Sequence, residues 1–290
     1  MLNKPDWLKI RPPTDTFLEI KNIIKTNKLH TVCEESHCPN ISECWSVGTA
    51  TFMVLGDTCT SGCKFCNMKT GYPKTAPDPS EPERLAQAVQ AMKLDYVVVT
   101  SVDRDDLTDG GSNHFASCIR AIKHLSPTMH VEVLIPDFRG DKKQIQNIIN
   151  AHPDVIAHNL ETVRSLQGKV RDHRAGYEQS LSVLRIVKEL DPTIYTKSAL
   201  MLGLGEQDLE VLQTFKDLKK NNVDILTLGQ YLRPSDWNLA VEKYVTPEKF
   251  SYFENEARIL GFLYVAAGPF VRSSYRAGEL FVKGKLEKNH

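Results

Sequence analysis

This sequence predicts an α/β fold, a barrel or partial barrel of about six strand–helix units, and two observations carry the prediction. Short apolar runs rich in β-branched residues alternate with stretches of helical periodicity over most of the chain. Alternation of this kind implies a parallel sheet with right-handed crossovers. The 290 residues, 41% hydrophobic and 25% charged, are globular in proportion and long enough to bury a core without disulfide staples.

Residues 14–28 read as an amphipathic helix, with Phe17, Leu18, Ile20 and Ile24 on or near one side. A cysteine-rich segment, 33–70, follows. After it comes a loop with Pro73, Pro77, Pro79 and Pro82, which is read as irregular because proline has no N–H to give. Strands are predicted at 51–55, 96–100, 130–135, 155–158, 194–202, 225–228 and 262–266. Helices are predicted at 83–93, 113–125, 141–150, 177–190, 207–220 and 248–260. Leu209, Leu212, Phe215 and Leu218 recur at helical spacing and are expected on a core face. Cys118 is expected as a small buried residue of its helix.

The 36 basic and 36 acidic residues cancel, which argues against a broad nucleic-acid or membrane surface. No apolar run approaches the roughly 18 residues that span a bilayer. Residues 1–13 show neither a signal core nor a transit pattern. The expectation is a cytoplasmic protein, with thiols kept reduced, and a monomer.

Six of the seven cysteines lie between Cys33 and Cys66. They form two triplets: Cys33, Cys38 and Cys44 as C-x4-C-x5-C, and Cys59, Cys63 and Cys66 as C-x3-C-x2-C. An odd total in a reducing compartment counts against a disulfide framework. Zinc sites usually show paired C-x2-C knuckles and four protein ligands, a form neither triplet has. Iron–sulfur clusters prefer thiolates, normally four per 4Fe–4S unit, so three from one loop leave one iron open to a small molecule. For the first triplet a mixed Cys/His zinc site with His37 stays open as an alternative. If that triplet holds a cluster it needs a fourth ligand, and an oxygen donor would bind iron more weakly than thiolate.

In barrels the chemistry sits on loops after the strand C-termini. The first strand runs through Gly56, Asp57 and Thr58 into the second triplet. The second ends in residues 100–106, dense in hydrogen-bonding groups, and Asp109, Gly110 and Gly111, although a solvated acidic turn would look alike. The fourth ends in residues 158–162, where Glu161 could take ribose hydroxyls or cap a helix. Gly203 and Gly205 precede Glu206, read as the first residue of a helix. The sixth carries residues 227–234, and the C-terminus holds a polar, doubly basic stretch, 268–277.

Together these residues resemble one family. C-x3-C-x2-C after a first barrel strand is similar to the radical S-adenosylmethionine (SAM) superfamily, and the upstream triplet with Arg272, Ser273, Ser274 and Tyr275 resembles the lipoyl synthases. Residues 4–8, 34–40, 100–111, 158–162, 203–206 and 229–234 look like motifs of the same family. The resemblance implies a partial (βα)6 TIM-like barrel of the radical SAM type over 51–267, with extensions at 1–50 and 268–290 covering its mouth. It implies that Cys59, Cys63 and Cys66 hold a 4Fe–4S cluster whose open iron chelates SAM. One electron would cleave SAM to a 5′-deoxyadenosyl radical that takes hydrogen from an octanoyl chain. It implies a second, auxiliary 4Fe–4S cluster on Cys33, Cys38, Cys44 and Ser274, favoured over Ser273, spent as the sulfur source for carbons 6 and 8. The substrate would be octanoyl-lysine on a lipoyl carrier domain, from a 2-oxoacid dehydrogenase acyltransferase subunit or a glycine-cleavage H protein. Ferredoxin or flavodoxin would supply electrons, and iron–sulfur assembly proteins the clusters. Phe65 would pack near the adenine, and Thr100, Ser101, Asn159, Glu161 and Gln230 would contact SAM. Asn238 and Ala240 stand where His and Pro are expected, a departure read as touching substrate-side loops, and residues 172–177 follow one of at least two family variants. Another radical SAM sulfur inserter and a non-enzymatic iron–sulfur scaffold are the alternatives.

Overall fold

A computed structural model describes Pro5 and residues 15–38, 40–46, 50–92 and 96–274. The chain divides into two compact units, one of residues 10–62 and 68–156, the other of 1–9, 63–67 and 157–290.

In the first unit, α1 (Asp15–Thr26) buries Ile20 and Ile24. Leu18, expected beside them, is 61% exposed, because two residues along a helix is a turn of about 200°. Next come β1 (His30–Thr31), α2 (Val32–Glu35), α3 (Ile41–Ser46) and β2 (Thr51–Val54). β1 runs antiparallel to β2, pairing Thr31 with Phe52. Thr31 also caps α2, its hydroxyl accepting the Glu34 N–H. The two-residue strands β3 (Thr58–Cys59), which holds the first cysteine of the second triplet, and β4 (Lys69–Thr70) pair parallel. Then follow α4 (Glu81–Ala91), β5 (Tyr96–Ser101), α5 (Ser112–Leu125), β6 (His130–Leu134), α6 (Lys142–Ile149) and β7 (Val155–Ala157), whose Val155 and Ile156 close this unit. Pro82, read as loop, lies in the first turn of α4, where the missing N–H costs nothing. β2, β5 and β6 are parallel neighbours. Their unbroken apolar runs, such as Val97–Val99, suit strands covered on both faces. Cys118 is fully buried in α5, as expected.

The second unit contains α7 (Gln167–Val170), α8 (Tyr177–Leu190), β8 (Tyr195–Leu202), α9 (Asp208–Lys220), β9 (Ile225–Gln230), α10 (Pro247–Ile259) and β10 (Tyr264–Gly268). β8, β9 and β10 are parallel neighbours. Leu200, Leu226 and Val265 from these strands pack with Leu184, Phe215 and Phe253 from the helices. Phe215 and Phe253 meet edge to face at 6.1 Å. Leu209 was expected on this face and is 80% exposed. The core stripe of α9 is Val211, Thr214, Phe215 and Leu218, a run at i, i+3, i+4 and i+7, and Leu209 faces away from it. Glu206 is not the first residue of α9. Gln207 is the N-cap, and the Glu206 carboxylate accepts the N–H groups of Gly203 and Leu204 in the preceding turn. Among the described residues no helix is long and apolar enough to cross a membrane.

Candidate functional site

β2 ends at Val54, and the backbone swings through Leu55 and Gly56 toward Cys59. Two residues there adopt the left-handed conformation, Leu55 at φ 72° and Gly56 at φ 96°. In the same unit the Cys59 sulfur accepts the backbone N–H of Asp103 at 3.3 Å. The Thr60 N–H donates to the Asp103 carbonyl at 2.9 Å, and the Asp105 N–H donates to the Thr60 hydroxyl at 3.0 Å. The loop after β5 is thus laced to the loop after β2, and it is no solvated acidic turn: Arg104 within it is 3% exposed.

Cys63 and Cys66 lie in the second unit. The Cys63 sulfur accepts the backbone N–H of Asp172 at 3.3 Å. Lys64 N–H donates to the Val170 carbonyl at 2.9 Å, and Leu239 N–H to the Lys64 carbonyl at 3.2 Å. The Asn238 amide spreads its two hydrogens over the Cys66 carbonyl at 2.9 Å and the Lys64 carbonyl at 3.2 Å. Asn238 therefore grips the cysteine loop itself, and the reading that put it on a substrate-side loop alone is corrected. Phe65 packs against the apolar group of Val170, Leu204 and Tyr231.

Cys33, Cys38 and Cys44 all belong to the first unit, on α2, in the turn after it and on α3. Cys38 N–H donates to the Cys33 carbonyl at 3.1 Å, and Cys44 N–H to the Asn40 carbonyl at 2.8 Å. Burial, with the neighbouring Cys38 adding to it, pushes the Cys33 thiol up to about 11. A free thiol there stays neutral, and a bound cation would be needed to hold it as thiolate. Among the described residues, the group of His, Cys, Asp and Glu drawn within 4.8 Å is Glu81, His114 and Cys118, so the first triplet and His37 are not gathered to single-ion spacing. His37 itself is exposed, at φ 50°.

The C-terminal segment runs against β9. A Cβ on Gly229 would stand 2.0 Å from the Val271 carbonyl oxygen, so only glycine lets the backbones approach. Ser273 and Ser274 follow, both half-buried. Tyr275, and the motif at 4–8 apart from Pro5, lie outside the described residues.

The five residues expected to contact SAM differ in what they have free. Ser101 Oγ, at the end of β5, and Asn159 Oδ1, after β7, are buried without a hydrogen-bond partner. Such orphans suit a polar ligand. Asn159 also donates to Glu161 Oε1 at 3.0 Å. Glu161 sits at φ 67°, bridged to Leu200, and caps no helix. Burial raises its pKa, and Arg171 and Asn159 pull it back. Thr100 donates to the Leu134 carbonyl at 2.9 Å. The Gln230 side chain is fully engaged: it donates to the carbonyls of Leu202, Tyr231 and Lys243 and accepts the Val245 N–H. The bonds from Asp103, Asp172 and Asn238 had no signal in sequence, since two are backbone groups and the third joins residues 172 positions apart.

The thiols, of which Cys33 is buried, and the orphaned polar atoms have the chemistry that iron–sulfur clusters and a polar cosubstrate need. Comparison with known proteins agrees. The model of the radical SAM superfamily matches residues 53–218. A lipoyl synthase of Anaeromyxobacter dehalogenans (strain 2CP-C) is 54% identical over 98% of this chain and 97% of its own. A mitochondrial lipoyl synthase of Trichoplax adhaerens is 53% identical over 99% of this chain and 83% of its own. The solved FeFe-hydrogenase maturase HydG of Carboxydothermus hydrogenoformans superposes with a TM-score of 0.56, covering 94% of this chain and 70% of its own at 12% identity. That last likeness establishes the fold, an α/β barrel-like one with a mostly parallel sheet.

Proposed function

The chain belongs to the lipoyl synthase family of the radical SAM superfamily, and we propose how its own residues divide that family's sulfur-inserting work. Cys59, Cys63 and Cys66 hold one 4Fe–4S cluster and leave a corner for SAM. Cys33, Cys38, Cys44 and Ser274 hold the other. When bound, the clusters and SAM supply one-electron cleavage, activation of unreactive C–H bonds, and the sulfur for carbons 6 and 8 of an octanoyl chain.

The chain's residues set the stage for this. Asp103 and Asp172 each give a backbone N–H to a thiolate, spreading its charge and tuning the cluster. Ser101 and Asn159 offer their unspent polar atoms to the cosubstrate. Phe65, seated on an apolar patch, offers its ring to the adenine. Thr100 and Gln230 fix backbone at their strand ends, and Glu161 accepts the Asn159 amide. Ser274 would hold iron through oxygen, a weaker bond than thiolate, which would suit a cluster that gives up its sulfur. Residues 1–50 form the extension carrying the auxiliary cysteines, 51–267 the barrel, and 268–290 the extension with the serine motif. The substrate is an octanoylated lipoyl carrier domain. Ferredoxin or flavodoxin delivers electrons, assembly proteins load the clusters, and the enzyme works as a cytoplasmic monomer.

The observation that carries the reading is the likeness over 98% of the chain, too long to leave out either triplet or the Arg272–Tyr275 segment. The test is direct. Anaerobically reconstituted protein, given SAM, reductant and octanoyl-lysine carrier, adds two sulfur atoms to the carrier by mass. SAM turnover without sulfur gain would reject lipoyl synthesis and keep the superfamily.

A further inference from the structure

The corner that joins β2 to the cysteine loop is held by charged groups that the chemistry above leaves unused. Leu55 has φ 72°, a conformation open to glycine and disfavoured for leucine. It is also buried, so its backbone polar groups need partners from the protein. Both partners are buried ions. The Leu55 N–H donates to Glu81 Oε2 at 2.9 Å, and Arg104 Nη1 donates to the Leu55 carbonyl at 3.1 Å. Glu81 and Arg104 are 6% and 3% exposed.

Each ion is itself fixed. His114 Nε2 lies 2.7 Å from the same Glu81 oxygen, and Arg104 forks onto both Asp106 oxygens at 2.8 Å. Gly111 closes the corner from the side, since a Cβ there would stand 2.5 Å from a Leu55 methyl carbon. Glu81 is the first residue of α4, where a carboxylate ordinarily serves its own helix. Here it reaches back 26 positions instead. Cys118 lies close enough to complete a three-ligand group, but hydrogen bonds already account for the carboxylate and the imidazole.

We propose that Glu81, oriented by His114, is a positioning residue for Cys59: it pins the left-handed Leu55 corner so that the loop delivers the Cys59 sulfur to the Asp103 N–H. The consequence for the cluster rests on Cys59 being a ligand; the pinned corner does not.

The test is amide hydrogen exchange on the cluster-loaded protein, with Glu81→Ala, Glu81→Gln and His114→Gln beside the wild type. Glu81→Ala should speed exchange over residues 55–60 about tenfold or more, with β6 and α6 unchanged. The EPR signal of the reduced SAM-binding cluster should broaden or shift in the same variant. Glu81→Gln keeps an acceptor oxygen and should restore most of the protection. Unchanged protection at 55–60, or loosening spread evenly over α4, α5 and β5, would overturn the proposal. If Glu81→Ala does not fold, His114→Gln decides by the same criterion, with a rise confined to 55–60 expected. Wild-type protein that binds no iron, with this exchange pattern intact, would reject the ligand reading and uphold the pinned corner.

Discussion

Asn238 illustrates how far one amide reaches. Its two N–H groups serve the carbonyls of Lys64 and Cys66, its oxygen accepts the Ser235 hydroxyl, and its own carbonyl accepts Arg233 Nε at 2.9 Å. Removing the side chain would take this donor from the Cys66 carbonyl and leave the Lys64 carbonyl with the Leu239 N–H, at a cost of about 1 kcal/mol per lost hydrogen bond. Asn238→Ala should therefore lower iron retention at Cys59, Cys63 and Cys66 and cut SAM cleavage about tenfold. Asn238→Asp should be worse, since a carboxylate can only accept. EPR quantitation per chain checks both, and equal retention in all three proteins would make the clasp dispensable. The cysteines divide in a second way. Cys63→Ala should abolish SAM cleavage, whereas Cys38→Ala should spare cleavage and stop sulfur insertion; equal loss of cleavage in two folded variants would contradict the division. The thiols were legible in the sequence because their spacing is itself the chemistry. Asn238 was legible only as a departure, because its partners come from a distant stretch of chain.

At the scale of elements, helices and long strands were readable because burial stamps a period on them. α8 lies at the predicted 177–190, and β8 differs by one residue. β1 and β3 have two residues each and no period, so their existence depends on the partners they meet. The loop after β5 was readable as polar and unreadable as buried. Its anchor is the Arg104–Asp106 fork, and Arg104 holds the Asp106 carboxyl below its usual value of 3.8. A lowered carboxylate pKa stabilises the folded state above the usual value, and that contribution is lost as pH falls through the lowered one. Urea midpoints measured at descending pH should thus drop below about pH 4, and Asp106→Asn should flatten that part of the limb. An unaltered acid limb in Asp106→Asn would mean that the fork does not hold the loop against acid.

For the whole molecule the question is whether iron holds the fold or the fold holds iron. Small metal domains unfold without their ion because they lack a core. This chain has one: the buried cluster of the second unit includes Leu184, Leu200, Phe215, Leu226 and Phe253, with no cysteine among its members. In the first unit β2 and β5 are buried by their own apolar runs. Five of the six clustered cysteines are half-buried, on short elements and loops. Cys33 is the dry one, and its thiol, pushed up to about 11, reverts to a neutral group when a cation leaves. Iron loss then strands no bare charge at Cys33. Anaerobic chelation should accordingly leave the far-UV circular dichroism of the strand–helix framework unchanged, while hydrogen exchange speeds over 33–46 and 59–67. The thermal midpoint should fall, since a group bound by the native state alone stabilises it by mass action. A cooperative collapse of the dichroism on chelation would show the reverse dependence, with the apolar core too weak to stand without its clusters.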